Sequence, residues 1–268
     1  MATTDYLLKK ERAGLAAGKF RLHPAPIAFF ALLALFATGL VIAFAQAVDT
    51  WTWAAWAALL LIAVNAIWIS GGAATAVLGL FTPRQVKPAA PEGWQPKDKT
   101  AILITLCEEP PEPVAAYLAS LFAALDCKGL PGATRIFILS DTNSEAGCAR
   151  EEAAFAALIA EGRVSYRRRS VRTNKKPGNI ADWFAAHGEG FASMVVLDAD
   201  SRMSAGCIHD LIWTMESAPR LGLAQAGISL VPGRTRFGKY QRTASRLLSP
   251  VFGKGFAAWS GTAGNYWG

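Results

Sequence analysis

Three short apolar runs in this 268-residue chain end in carboxylates. Ala101–Leu106 (AILITL) runs into Cys107-Glu108-Glu109-Pro110, Arg135–Leu139 (RIFIL) into Ser140-Asp141-Thr142, and Ser193–Leu197 (SMVVL) into Asp198-Ala199-Asp200-Ser201. An edge lined with carboxylates binds a cation or a hydroxyl-rich ligand. Asp198 and Asp200, at i and i+2, leave a strand end on the same side and can share a divalent metal with a diphosphate. The plainer reading is a turn that uses Asp for Asx hydrogen bonds. Arg202 is the only basic residue close by in sequence, and it could pair with one of the two acids but would leave the other uncompensated. Lys176-Pro177-Gly178-Asn179 joins a lysine to a tight turn and a helix start, a pattern that could contact a pyrophosphate or a sugar.

These residues need a scaffold that brings strand ends together. Helix-compatible stretches at Pro113–Leu125, Ala149–Glu161 and Asn179–Ala186 separate the apolar runs, with a weaker strand candidate at Val164–Arg167. Strands alternating with helices of this length argue for right-handed crossovers and a parallel sheet, which binds ligands at the carboxyl ends of its strands. The P-loop, the Gly-x-Ser-x-Gly elbow and the Gly-x-Gly-x-x-Gly fingerprint are all missing. Cys107, Cys127, Cys148 and Cys207 contain no Cys-x-x-Cys pair and read as reduced, mostly buried thiols. His23, His187 and His209 form no metal motif and read as structural.

Ahead of this α/β pattern lies a different solvent environment. Of the residues, 52% are hydrophobic and 18% charged, which excludes intrinsic disorder. Pro26–Pro83 holds 58 residues and a single charge, Asp49. Ile27–Ala47 and Trp53–Leu80 are each long enough to span a bilayer, and the loop between them is short enough to make a hairpin. Small residues at Gly71-Gly72 predict close helix approach, and Asn65 bonds either a neighbouring helix or its own backbone. Trp51, Trp53 and Trp56 sit where interfacial aromatics occur. Lys9, Lys10, Arg12, Lys19 and Arg21 precede the first span, and Arg84, Lys87, Lys97 and Lys99 follow the second. The loop between the spans has no basic residue, so both ends are expected in the cytoplasm. The expected organisation is a segment at 1–25, a transmembrane hairpin at 26–82, a Pro-rich extended linker at 83–99 and an α/β domain at 100–268.

Arg163–Lys176 (RVSYRRRSVRTNKK) carries seven basic residues, equal to the whole formal charge of +7. Nucleic acid binding is not expected, because only Tyr166 interleaves the charges. A solvated face near anionic lipid headgroups is expected to account for most of the run.

The series ILSDT (Ile138–Thr142), YRRR (Tyr166–Arg169), KKPGNIADW (Lys175–Trp183), MVVLDADS (Met194–Ser201) and GNYWG (Gly264–Gly268) resembles a processive family-2 glycosyltransferase with a GT-A fold, of the glucan-building branch of Gram-negative bacteria. The resemblance implies a multi-pass enzyme of the bacterial inner membrane with its catalytic domain in the cytoplasm. Its expected partners are UDP-glucose, a growing periplasmic glucan and the lipid bilayer, with Mg²⁺ or Mn²⁺ as cofactor. It places Thr105 and Glu109 in the uridine pocket and Asp141 on uracil or ribose. Lys176, Gly178 and Asn179 fall near the diphosphate and sugar. Asp198 and Asp200 become the metal pair, with Asp198 also in the donor site. Trp259, Tyr266, Trp267 and Gly268 border sugar and acceptor, ordinary core packing being the other reading of the aromatics. A related cellulose-synthase-like or lipid-glycosylating transferase, or an inactive nucleotide-sugar-binding chain, are the alternatives. Glu108-Glu109 stands where the family usually has Asn-Glu, and Pro177 replaces a small residue. The family's catalytic base and Gln-x-x-Arg-Trp motif have no counterpart in this sequence, so the GT-A domain is expected to be incomplete and the base to lie beyond Gly268.

Overall fold

A computed structural model of the chain describes residues 24–83, 89–231 and 233–261. It divides into two units.

The first unit is the α/β domain. Its strands are β1 (Thr100–Leu106), β2 (Thr134–Ser140), β3 (Val164–Arg168) and β4 (Ser193–Asp198), and its helices are numbered below with those of the second unit. Among the described residues the strands form one sheet in the order β3-β2-β1-β4, and every pairing is parallel. β1 lies between two partners and is covered on both faces, which is why it reads as an unbroken apolar run. Alternate residues divide between two cores. Ile102, Ile104, Leu106, Ile136, Ile138 and Leu197 face one side. Ala101, Leu103, Phe137 and Leu139 face the other, beneath Trp183.

Helix α3 (Pro111–Cys127) covers the first face through Val114, Leu118, Leu121, Phe122 and Leu125, a stripe at helical spacing. Helix α4 (Glu145–Ala160) follows β2, with Ser144 as its N-cap. Helix α5 (Lys175–His187) returns the chain from β3 towards β4 and carries Trp183 onto the second face. Helix α6 (Ala205–Ser217) follows the Asp-x-Asp turn and adds Ile208 and Ile212 to the first core.

The stretch expected as an extended linker is held down on this domain. Asp210 Oδ1 accepts from the Ala90 amide at 3.1 Å, Glu216 Oε1 from the amides of Lys97 (3.0 Å) and Asp98 (3.1 Å), and His209 Nε2 meets the Trp94 carbonyl at 3.1 Å. The cysteines form no disulfide with one another, but Cys107 and Cys127 are exposed, so the expectation of mostly buried thiols holds only for Cys148 and in part for Cys207.

The second unit contains α1 (Pro24–Gln46), α2 (Trp53–Phe81) and α7 (Arg236–Ser260). α1 and α2 are long and apolar enough to cross a membrane. Their outward surfaces are apolar, with Leu35, Leu60 and Trp68 exposed. Asn65 Nδ2 donates to Leu61 O at 2.9 Å, so of its two readings the bond to its own helix is the one seen. Close approach occurs elsewhere than at Gly71-Gly72. A Cβ on Gly72 would meet nothing within 4 Å, and one on Gly71 only Leu33 Cδ1 at 3.9 Å. A Cβ on Gly79 would lie 1.9 Å from Val251 O, and one on Gly255 would lie 1.9 Å from Thr75 O. The contact of α2 with α7 therefore requires glycine at both positions. Residues 227–231 and 233–261 group with this hairpin, whereas the sequence reading ran the α/β domain on to residue 268.

Candidate donor site at the strand ends

The strand order places a topological switch between β1 and β4. From β1 the chain moves outward through β2 to β3, then returns to β4 on the other side of β1. Open parallel sheets bind ligands in the crevice that such a switch creates. Thr105 pairs in register with Asp198 across this point. It is also the one residue of β1 that is not fully buried. Lys176, in the first turn of α5, forms an ion pair with Asp198 Oδ1. Thr105, Lys176, Asp198 and the following Asp-x-Asp turn thus meet at one edge.

The mount of Lys176 is fixed by backbone geometry. Asn174 (φ 57°) and Lys175 (φ 48°) are both left-handed, and the chain then enters α5 with the Gly178 amide donating to Asn174 O at 3.1 Å. A Cβ on Gly178 would sit 2.1 Å from Thr173 O, so glycine is needed here for packing. Gly178 and Asn179 are buried.

Asn179 points into a buried polar network. Its Nδ2 donates to Asp141 Oδ1 at 3.0 Å, and its Oδ1 accepts from Arg167 Nη2. Asp141 in turn receives Arg169 in bidentate form, Nε to Oδ1 at 2.6 Å and Nη2 to Oδ2 at 2.9 Å. Their side chains are only 9% and 6% exposed. Arg169 also donates to Asp182 Oδ2 at 3.0 Å and to Lys175 O at 2.8 Å, which ties the mount of Lys176 to the end of β2. The hydrogen bond to Asp141 holds the guanidinium above its ordinary range, burial opposes it, and Asp182 adds to the rise.

The loops after β1 and β2 are stapled to each other. Glu108 is left-handed (φ 67°). Its carboxylate accepts from Asn143 N (2.7 Å), Ser144 N (2.9 Å) and Ser144 Oγ (2.6 Å). The Ser144 hydroxyl, then the Ser144 and Asn143 amides, hold this carboxyl below the usual carboxylate range. Glu108 N donates to Thr142 Oγ1, which donates in turn to the buried Glu151, itself accepting from Tyr166 OH at 2.8 Å. Burial pushes the Tyr166 phenol up, and Glu151 beside it adds to the rise. Glu109 bonds back to the Cys107 amide. Between these loops lies a cleft of about 250 Å³ lined by Glu109, Pro111, Thr142, Gly147 and Arg150. A larger groove of about 1210 Å³ lies at the opposite end of the strands, around Thr134, Arg135, Ser165 and Trp183.

Two sequence expectations about charge are corrected. Arg202 turns away from the Asp-x-Asp carboxylates; it donates to Pro113 O (2.8 Å) and Ala199 O (3.2 Å) and stacks over Tyr117 at 4.8 Å. The counter-ion of Asp198 is Lys176, 22 residues upstream. Nor is Arg163–Lys176 mainly a solvated face. Arg163 pairs with Asp126, Arg167 with Asn179, Arg169 with Asp141 and Lys176 with Asp198, while Arg172 donates to Thr142 O and Asn143 Oδ1. The run braces the strand ends because β3 and the start of α5 lie against them.

Thr105, Lys176 and Asp198 are thus brought together, and Asp200 follows on the same turn. Asp141, Gly178 and Asn179 lie just beneath, turned inward. Glu109 lines the neighbouring cleft. Trp259 belongs to the hairpin unit, where it stacks on Phe29 (4.0 Å, 8° between planes) and donates to Thr75 Oγ1 at 3.2 Å. Tyr266, Trp267 and Gly268 lie outside the described residues. Arg169, Thr142 and Glu151 are functional positions that sequence reasoning does not assign, although Arg169 sits in the YRRR element and Thr142 in ILSDT, and Glu108 is legible only as a strand-end carboxylate.

A parallel α/β sheet of GT-A-like form, behind two membrane-length apolar helices, is the class of protein that this fold and edge define. The particular relatives are proteins named glucans biosynthesis glucosyltransferase H. The chain is 38% identical to the one from Cereibacter sphaeroides over 216 residues, 78% of this chain and 36% of that protein. It is 37% identical to one from Vibrio cholerae over 218 residues (80% and 30%) and 32% identical to one from Dickeya dadantii over 222 residues (78% and 26%). The chain therefore spans about a third or less of the length of these relatives. No family model matches it.

Proposed function

We propose that this chain carries the donor-binding part of a membrane-bound, inverting glucosyltransferase that takes glucose from UDP-glucose to build the backbone of osmoregulated periplasmic glucans. The observation that carries the reading is the meeting of Thr105, Lys176, Asp198 and the Asp-x-Asp turn at the β1/β4 switch. The names of the relatives support glucosyl transfer and glucan synthesis.

Asp198 and Asp200 offer hard oxygen donors. Among the described residues no group of three or more acidic, His or Cys side chains is poised to hold an ion. A pair of carboxylates completed by substrate phosphate and water suits Mg²⁺ or Mn²⁺, so these residues fit that cofactor. Bound there, the ion would offset the charge that develops on the departing diphosphate. Lys176 offers a further cation to the same phosphates, Thr105 and Glu109 border the nucleoside, and Asp141 positions the edge from beneath through Arg169 and Asn179. In the transfer, an acceptor hydroxyl oxygen attacks the anomeric carbon of glucose as the bond to the UDP oxygen breaks. The hydroxyl proton passes to a general base, and the anomeric centre inverts. The basic residues flanking the hairpin support a cytoplasmic position for this domain at the bacterial inner membrane.

Binding of UDP to the chain in detergent, with and without Mn²⁺, tests the reading. Asp200→Ala should weaken Mn²⁺-dependent binding at least about tenfold, or about 1.4 kcal/mol. Unchanged metal-dependent binding by a folded variant would make the pair a structural turn. Competition among UDP-sugars then tests glucose as the donor sugar.

A further inference from the structure

The acids around this edge are neutralised in unlike ways. Arg169 grips Asp141 with two bonds in a buried setting. Lys176 reaches Asp198 through a single ammonium contact, with the two side chains 30% and 45% exposed. Asp200 is exposed, and among the described residues it has no hydrogen-bond or ion-pair partner. The backbone beneath Lys176 is anchored by Arg169 at Lys175 O and by the Gly178 turn, so the side chain can move while its mount stays. Arg202 cannot take its place, being engaged with Pro113, Ala199 and Tyr117.

We infer that Lys176 is a built-in counter-ion of the donor site: in the free protein it occupies Asp198, and it competes there with a divalent cation. Lys176 then leaves Asp198 when cation and nucleoside diphosphate arrive together, and turns to the diphosphate. An ammonium on a four-carbon stem suits this exchange, whereas a bidentate guanidinium would hold its carboxylate. The inference rests on the reading above that Asp198 and Asp200 take a divalent cation. It adds that the site guards its carboxylates against metal in the absence of nucleotide.

The test is a Mn²⁺ titration of the full 268-residue chain in detergent without nucleotide, with free Mn²⁺ followed by electron paramagnetic resonance. Circular dichroism establishes that each variant is folded. Lys176→Met should bind Mn²⁺ up to about fivefold more tightly than the parent, the upper end for a partly exposed ion pair. The gain should vanish when Asp198→Asn is added, and Lys176→Arg, whose guanidinium holds the carboxylate, should bind Mn²⁺ no more tightly than the parent. With UDP present, Lys176→Met should instead bind the nucleotide more weakly. Unchanged or weaker Mn²⁺ binding in folded Lys176→Met, or a gain that survives Asp198→Asn, overturns the inference. If Lys176→Met does not fold, Lys176→Gln replaces it under the same criteria. Should Asp198→Asn with Asp200→Asn leave the parent's Mn²⁺ binding intact, the metal-site reading fails and the inference falls with it. Should that pair abolish Mn²⁺ binding while Lys176→Met brings no gain, only the exchange is wrong.

Discussion

Replacing Arg169 by methionine should expose how much of the strand-end geometry depends on one buried ion pair. The change removes the bidentate grip on Asp141, the bond to Asp182 and the bond to Lys175 O, and leaves Asp141 with Asn179 as its only remaining side-chain partner of those described. Asp141 is 8% exposed, so water cannot replace the guanidinium fully. Breaking a buried pair from one side costs about 3–5 kcal/mol, most of it from the stranded charge. That origin makes a sign prediction. Adding Asp141→Asn to Arg169→Met should rescue stability, because a neutral amide can still accept from Asn179 and no charge is left behind. On the order of half the loss should return, and the two changes should couple by about 1–3 kcal/mol. The two units of the chain need not unfold together, so the assay should read the site directly. Hydrogen–deuterium exchange of peptides covering β2 and the start of α5, in the parent, both single variants and the double variant, reports local opening free energies. Additive losses, or a double variant less protected than Arg169→Met alone, would refute the claim that Asp141 is held as a buried carboxylate by Arg169.

Three further outcomes are expected. Glu108 has its carboxyl held below the ordinary value of 4.5, so its contribution is present above that value and is lost as pH falls through the depressed one. Protection of the Asn143 and Ser144 amides, corrected for intrinsic exchange, should fall over that acid window in the parent. In Glu108→Gln it should already be reduced at neutral pH and stay flat. Gly255→Ala or Gly79→Ala should destabilise the hairpin unit in detergent melts, since each Cβ meets a carbonyl at 1.9 Å, whereas Gly72→Ala should be silent. For topology, Cys107 and Cys127 must first be replaced because they are exposed. In that background a cysteine at Thr50 should react with impermeant maleimide from the periplasmic side and one at Pro91 should not, and the reverse pattern would refute a cytoplasmic domain.

Much of the scaffold is legible because parallel strands announce themselves. The runs 101–106, 135–139 and 193–197 fall inside β1, β2 and β4, and even the weak Val164–Arg167 candidate is β3. In β1 and the later part of β2, burial on both faces leaves little room for polar residues, so the apolar run ends where the strand ends and the first carboxylate marks the edge, whereas β4 is apolar although Met194 and Val196 are exposed. The partners of those carboxylates are less legible. Lys176 and Asp198 are 22 residues apart, and Arg169 and Asp141 are 28 apart. Only the placement of β3 and α5 brings them into contact. Seven positive charges in fourteen residues therefore look like a solvated stripe until the fold pairs Arg163, Arg169 and Lys176 with separate acids and places Arg167 and Arg172 on carbonyl and amide oxygens. α7 is not legible in the sequence because its glycines and Pro250 disguise a helix whose contact with α2 needs Gly255.

The three ways in which this edge neutralises acid explain why exchange belongs at β4 and not at β2. Glu108 is satisfied by neutral donors, two amides and a hydroxyl, which fix a loop and bring in no charge. Asp141 is satisfied by a cation that cannot lose its proton and that sits in a buried, two-point geometry, so the end of β2 is set before any ligand arrives. Asp198 alone has a one-point, half-exposed, flexible partner, and it stands at the topological switch where the sheet opens. A ligand that brings its own positive charge can replace Lys176 without stranding a buried group, whereas replacing Arg169 would cost about 3–5 kcal/mol before any new contact formed. The rigid pair thus holds the floor of the site through Lys175 O and Asn179, and the loose pair is left to answer the ligand.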